Sequence, residues 1–261
     1  MRTLTVFSAA VLQICSFTSF ASESFELINS PPAAGPSSEL HIARLAFDHG
    51  AHSNWGPGRP WWRIDWPDAE FHFTGGIKRY TVIDVAEDSV HVPLSDNRLF
   101  DYPWLFAQQV GRWYLDDREV LMLREYLQRG GFLVVDDFHG PQQWQIFARV
   151  MERVLPGYAF DELDQSDELM HVLYELNPNT QIPGRRHLRR AAGGTVKVDM
   201  PFSPARWRGI SDDQGRLMVA INFNMDMGDA WEHANDPVYP VPMTSLAYRF
   251  GINYLIYAMS H

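Results

Sequence analysis

From Leu40 onward, apolar and polar positions fall into short blocks that switch between two periods. Leu40-His41-Ile42-Ala43-Arg44-Leu45-Ala46-Phe47 alternates with a period near two and predicts a first strand. Residues 81–85 predict a short second one. Residues 104–107 (Trp-Leu-Phe-Ala) are apolar throughout, as in a strand covered on both faces. Asp116 followed by Glu119 has the form of a capping box, and Val120, Leu123 and Leu127 then recur at helical spacing until Gly130-Gly131. Phe132-Leu133-Val134-Val135 predicts a buried strand, residues 136–140 a turn, and Pro141 opens a helix with Ile146, Val150 and Val154 on one face. The pattern weakens between residues 158 and 200. Residues 217–222 predict a late strand, and residues 244–259 an apolar, buried helix interrupted by Arg249 and Asn253. Strand and helix alternating in this order predict an α/β fold, a three-layer sandwich around a mainly parallel sheet with right-handed crossovers.

The segment before this body reads differently. Met1-Arg2 carries a positive charge, an apolar run extends from Leu4 to Phe20, and Ser19-Phe20-Ala21 places small residues where a signal peptidase cuts. The expectation is a signal peptide over residues 1–21 and a periplasmic or secreted protein, with no transmembrane segment left after cleavage. Residues 22–38, with Ser-Pro-Pro-Ala-Ala-Gly-Pro-Ser-Ser, read as a flexible linker, and residues 39–261 as one domain. Cys15 is the only cysteine, so cleavage after Ala21 leaves a chain that relies on its core rather than on disulfides.

Composition narrows the function classes. The chain has 261 residues and a formal charge of −10, from 22 Lys+Arg against 32 Asp+Glu. That balance argues against nucleic acid as a partner, since phosphate contacts supply most of such affinity. No Gly-x-Ser-x-Gly elbow is present, cysteine nucleophiles are excluded from the mature chain, and Gly75-Gly76 and Gly193-Gly194 lack phosphate-loop spacing.

Ligands of open parallel sheets sit beyond the carboxyl ends of the strands. Polar residues collect just there: Asp48, His49 and His52 after the first strand, Gln108 and Gln109 after residues 104–107, and Asp136, Asp137 and His139 after residues 132–135. Asn224, Asp226, Asp229, Trp231 and Glu232 follow the last strand. With parallel strands these groups share one rim. Carboxylates and imidazoles together suit a divalent metal, with Asp136, His139, Asp226 and Asp229 as ligands; the competing account has these aspartates capping helices and tying loops. Acid–base hydrolysis would use Asp136 or His139, although adjacent strand-end residues point to opposite faces and only one of Asp136 and Asp137 faces the crevice. Trp55, Trp61, Trp62 and Trp66 form either a loop folded back on its own indoles or a platform for a ligand or partner. Arg185-Arg186-His187-Leu188-Arg189-Arg190 reads as a solvated loop rather than an anion site.

The C-terminal half carries a family resemblance. Arg208-Gly209-Ile210-Ser211-Asp212-Asp213, Gly215-Arg216-Leu217-Met218-Val219-Ala220, Asn224-x-Asp226-x-Gly228-Asp229-x-Trp231-Glu232, Asp236-Pro237-x-Tyr239-Pro240 and residues 251–261, with Arg44-Leu45 and residues 130–137, resemble the bacterial family DUF4159. The resemblance implies a flavodoxin-like sheet of the class I glutamine amidotransferase-like kind. Where amidotransferases carry a cysteine, this chain has Asp136 or its neighbour, so that chemistry is not implied. Relatives that belong to membrane-anchored proteins point by analogy to the cell envelope. The resulting expectation is a non-enzymatic module binding a small polar ligand or an envelope protein through the rim, with no cofactor. The alternatives are a metal-assisted hydrolase of envelope glycan or peptide, and an interaction module using the Trp-rich loop 55–66.

Overall fold

The computed structural model describes residues 40–47, 60–190, 196–202 and 204–261. The expected signal peptide and linker lie outside these residues, as do Asp48, His49, His52 and Trp55. In chain order the strands are β1 (Ala43–Ala46), β2 (Val90–Pro93), β3 (Trp104–Gln108), β4 (Phe132–Phe138), β5 (Asp161–Glu162), β6 (Leu188–Arg190), β7 (Val196–Val198), β8 (Arg206–Ser211) and β9 (Leu217–Phe223). The helices are α1 (Asp68–Tyr80), α2 (Asp117–Gln128), α3 (Gly140–Val154), α4 (Met227–Glu232) and α5 (Val241–Ser260).

Seven strands form one sheet in the order β2-β1-β3-β4-β9-β8-β5, with β6 and β7 as a separate antiparallel pair. The first five are parallel, and β8 and β5 close the far edge antiparallel. Counted along the chain, the parallel strands take the 2-1-3-4-5 order of flavodoxin-like doubly wound sheets. Alternation within the strands feeds two cores. Trp104, Phe106, Phe132 and Val134 pack with α1, α4 and α5, whereas Leu105, Ala107, Leu133 and Val135 pack with α2 and α3. The three-layer α/β sandwich expected from the sequence is what the chain forms.

Several elements follow directly from their sequence. Asp116 accepts the Glu119 amide (2.8 Å) while the Glu119 carboxylate accepts the Asp116 amide (2.9 Å), which completes the capping box of α2. Asn253, which breaks the apolar run of α5, is buried and holds the backbone of Leu169 and Tyr174 with three hydrogen bonds.

Other expectations are corrected. Residues 81–85 form no strand beyond a bridge from Val85 to Leu40, because Thr81 ends α1 by bonding back to Ile77 and Val82 points to solvent. The true second strand is β2. Helix α1 was hidden in the sequence by Gly75-Gly76, which lowers helix propensity. Its buried stripe of Ala69, Phe73 and Ile77 supports it nonetheless. Gly76 lets the Tyr248 ring lie on the helix backbone, where a Cβ would stand 2.4 Å from the ring. Residues 136–138, expected in a turn, extend β4.

Candidate functional site

The carboxyl ends of β3, β4 and β9 meet at one edge of the sheet, and the backbone there is unusual. Among the described residues, all four non-glycine positions with positive φ lie at this edge: Asp65 (61°), Gln109 (57°), Asp137 (49°) and Asn224 (62°). Such conformations cost free energy and persist only where the surroundings enforce them.

Asp136 and Asp137 separate here. The register of β4 on β9 slips between Val135 and Phe138, at the left-handed Asp137. That bulge returns Phe138 to the α2/α3 core and leaves the Asp137 side chain at the edge. Asp136 is fully buried and saturated. Its Oδ2 accepts the amides of Met227 (2.7 Å) and Gly228 (3.1 Å), which open α4, and its Oδ1 accepts Asn222 Nδ2 at 3.2 Å. Tyr254 donates to Asn222 Oδ1 at 2.6 Å. Burial lifts the Asp136 pKa to about 7, against the pull of these donors. Asp136 is thus a clamp between strand and helix, with both oxygens accepting N–H donors, and it joins none of the acidic groups described below.

Asp137 has different company. It is almost wholly buried, pairs with His139 Nε2 at 3.0 Å and Arg186 at 3.2 Å, and accepts the Gln109 side-chain amide. One ligand atom each of Asp137, His139 and Asp226 lies within 4.8 Å of the others, and the same holds for Asp65, Asp226 and Asp229. Asp226 thus joins two triads, while Asp229 continues into a third with Glu232 and His233. His139 is buried, and its Nδ1 has no hydrogen-bond partner.

Mutual repulsion marks the cluster. Burial first, and then the charges of Asp229 and Asp137, hold the Asp65 carboxyl well above the usual range, partly offset by Arg44 and Gln108. Asp226 is raised well above it too, by burial and then by Asp137, Asp229 and Asp65. Glu232 is raised chiefly by its partial burial.

Asp65 is the functional candidate that the sequence did not reveal. It arrives on the segment before α1, which Arg44 anchors from inside: the guanidinium pairs with Glu70 and donates to the Trp62 and Ile64 carbonyls and to Gln108 Oε1. Gln108 in turn donates to Asp65 Oδ2 at 2.8 Å. Gly228 makes room for this contact, since a Cβ there would stand 1.6 Å from Gln108 Nε2 and 2.8 Å from Asp65 Oδ2. The available signal was local: an aspartate set between Trp62 and Trp66 in an apolar run.

Gln108, Asp137, His139, Asp226 and Asp229 therefore lie together at this edge, with Glu232 at the margin. Asn224 serves the backbone instead, accepting the Gly140 amide and donating to Pro204. Trp231, expected on the rim, is fully buried and stacks on Phe73 with centroids 4.2 Å apart. Trp61 and Trp62 are buried beneath Arg112 and beside His91, and Trp66 donates to Ser89. Each of these three indoles is engaged by the described part of the fold. The basic run at 185–190 is not simply solvated, because Arg185 and Arg186 bind Asp236 and Asp137.

No helix among the described residues is long and apolar enough to cross a membrane. No curated protein matches the chain. Residues 41–259 match the model of a family described as a domain of unknown function, and the chain belongs to it: DUF4159.

Proposed function

We propose that this domain is a binding module whose crevice takes a divalent cation, and through it a polar ligand, in an exported setting. The single observation that carries the reading is the ring of acidic side chains around Asp226. Asp65, Asp137 and Asp229 converge on it, and the raised pKa values of Asp65 and Asp226 express burial first and then repulsion among these carboxylates, both of which a cation would offset. Carboxylate oxygens with one imidazole, His139, form a donor set suited to Mn2+ or Zn2+. Asp136 contributes by holding α4, and therefore Asp226 and Asp229, against β4. The positively charged start and apolar run of residues 1–21 support export, where metal ligands other than thiols are expected.

Calorimetric titration of Mn2+ into residues 22–261 tests this, with Asp226→Asn beside the parent. Binding that Asp226→Asn abolishes supports the reading; equal binding by both proteins rejects it.

A second reading, metal-assisted hydrolysis of an envelope glycan or peptide, is favoured by one feature. The His139 imidazole is oriented by Asp137 and has an unpartnered nitrogen, as a proton shuttle beside a metal-bound water requires. Turnover of glycan or peptide substrates by the Mn2+-loaded protein, lost in His139→Gln while Mn2+ remains bound, would establish it. Turnover that survives in His139→Gln would remove His139 from the chemistry.

A further inference from the structure

We infer that Arg186 is the resident counter-ion of the acidic centre, occupying the mouth where an external cation enters and yielding to it. This rests on the cation-binding reading above and deepens it.

The cationic partners of the centre can be followed one by one. Arg44 is committed to buried Glu70 and to backbone carbonyls, and Arg185 to Asp236 at 2.9 Å. Among the described residues, the arginine that forms an ion pair with one of Asp65, Asp137, Asp226 and Asp229 is Arg186, on Asp137 Oδ1. Asp137 is 1% exposed and the Arg186 side chain 51%, so the guanidinium stands between the carboxylates and solvent. Its charge also faces Asp226, Asp229 and Asp65, while His187 lies beside it, accepting from its Nε at 3.0 Å. His139 shares the same Asp137 oxygen and packs against the His187 ring.

The backbone that carries Arg186 is fixed. Ile182 O accepts the Asp226 amide (3.0 Å), Pro183 O accepts the Tyr239 hydroxyl (2.6 Å), and the Arg185 amide donates to Asp229 Oδ2 (2.7 Å). Gly184 lies so close that a Cβ would approach Asp226 Oδ2 to 2.6 Å. The moving part is therefore the long Arg186 side chain alone, hinged on a pinned strap. A divalent ion bound between Asp137, His139 and Asp226 would repel the guanidinium and take its partner, so the two cations compete for one place. The device keeps buried carboxylates partly neutralised without a ligand and discriminates against weakly binding monovalent ions.

Two measurements on Arg186→Gln test this, with Arg185→Gln as the control. In Mn2+ titration, Arg186→Gln is expected to bind about tenfold more tightly than the parent, whereas Arg185→Gln changes affinity by less than about threefold. Equal or weaker binding by Arg186→Gln overturns the competition. Thermal unfolding without metal probes the counter-ion role separately. Arg186→Gln should lower Tm, and Arg186→Lys, which keeps the positive charge beside Asp137, should restore most of the loss. An equal loss of Tm in Arg186→Gln and Arg186→Lys overturns the counter-ion role. If neither parent nor variant binds Mn2+, the cation reading fails and the competition with it, while the comparison with Arg186→Lys still decides whether Arg186 neutralises the centre.

Discussion

Asp136 and Asp137 are neighbours in sequence, both buried, and their surroundings have little in common. Asp136 spends both oxygens on N–H donors of Asn222, Met227 and Gly228 and has a full set of neutral hydrogen bonds. Asp137, turned aside by a left-handed bulge, is surrounded by ionisable groups: His139, Arg186, and the carboxylates of Asp226 and Asp65 beyond. One end of a strand thus supplies a structural clamp and an electrostatic centre within two residues. Burial alone does not distinguish a structural aspartate from a functional one; the partners do.

The widest gap between the two should appear in stability. Asp136→Ala leaves two helix-opening amides buried without acceptors and the Asn222 amide with only the weak Met227 sulfur, a loss of about 3 kcal/mol or more at the usual cost of unsatisfied buried donors. Asp137→Ala leaves the buried Gln109 amide without that acceptor, but it also removes a repulsive neighbour of Asp226 and leaves the half-exposed Arg186 to water, so its loss should be smaller, about 1 kcal/mol. Urea denaturation measures both, and equal losses would erase the distinction.

Gly228→Ala probes where the two regions touch. Its new methyl would collide with Gln108 and Asp65 and should cost about 1–3 kcal/mol, the usual penalty for overpacking. A neutral result would mean that the Gln108–Asp65 contact yields freely.

The response to pH sharpens the comparison further. A carboxyl group with a raised folded-state pKa holds its proton more tightly when folded. It therefore favours the fold at low pH, and that contribution is lost as pH rises from the unfolded value, about 4, through the folded one. Burial and neighbouring charge raise Asp65 and Asp226, and Asp136 titrates near about 7. Stability without metal should therefore decline between pH 5 and pH 8. Asp226→Asn, which can still cap α4 through its side-chain oxygen, should flatten that decline and leave stability near pH 4 almost unchanged. A decline as steep in Asp226→Asn as in the parent would locate the repulsion elsewhere.

The smallest effect is expected from the tryptophan loop on ligand binding. Trp66→Phe removes one hydrogen bond to Ser89, about 1 kcal/mol of stability, and should leave Mn2+ affinity unaltered. Changed affinity would bring the loop into the site.

Much of this organisation was legible in the sequence. The capping box at Asp116 and the apolar runs at 104–107, 132–135 and 217–222 specify their elements locally, and parallel strands then bring Gln108, Asp137, Asp226 and Asp229 to a common edge. What stayed hidden depends on tertiary contact. Helix α1 is supported by packing against Tyr248 and Trp231 in spite of its glycines, and Asp65 is positioned by Arg44, distant in sequence. The β4 bulge, which assigns Asp136 and Asp137 their roles, has no marker in Phe-Leu-Val-Val-Asp-Asp-Phe. Arg186 looked like one member of a solvated basic run because its partner lies 49 positions away.

The most direct test of the central claim is calorimetric titration of Mn2+ at pH 7.5 into the parent, Asp226→Asn and Asp212→Asn, the last altering a carboxylate remote from the crevice. The account predicts binding by the parent and Asp212→Asn, and at least a thirtyfold loss, about 2 kcal/mol, in Asp226→Asn. No binding by the parent, or equal binding by all three, would contradict it.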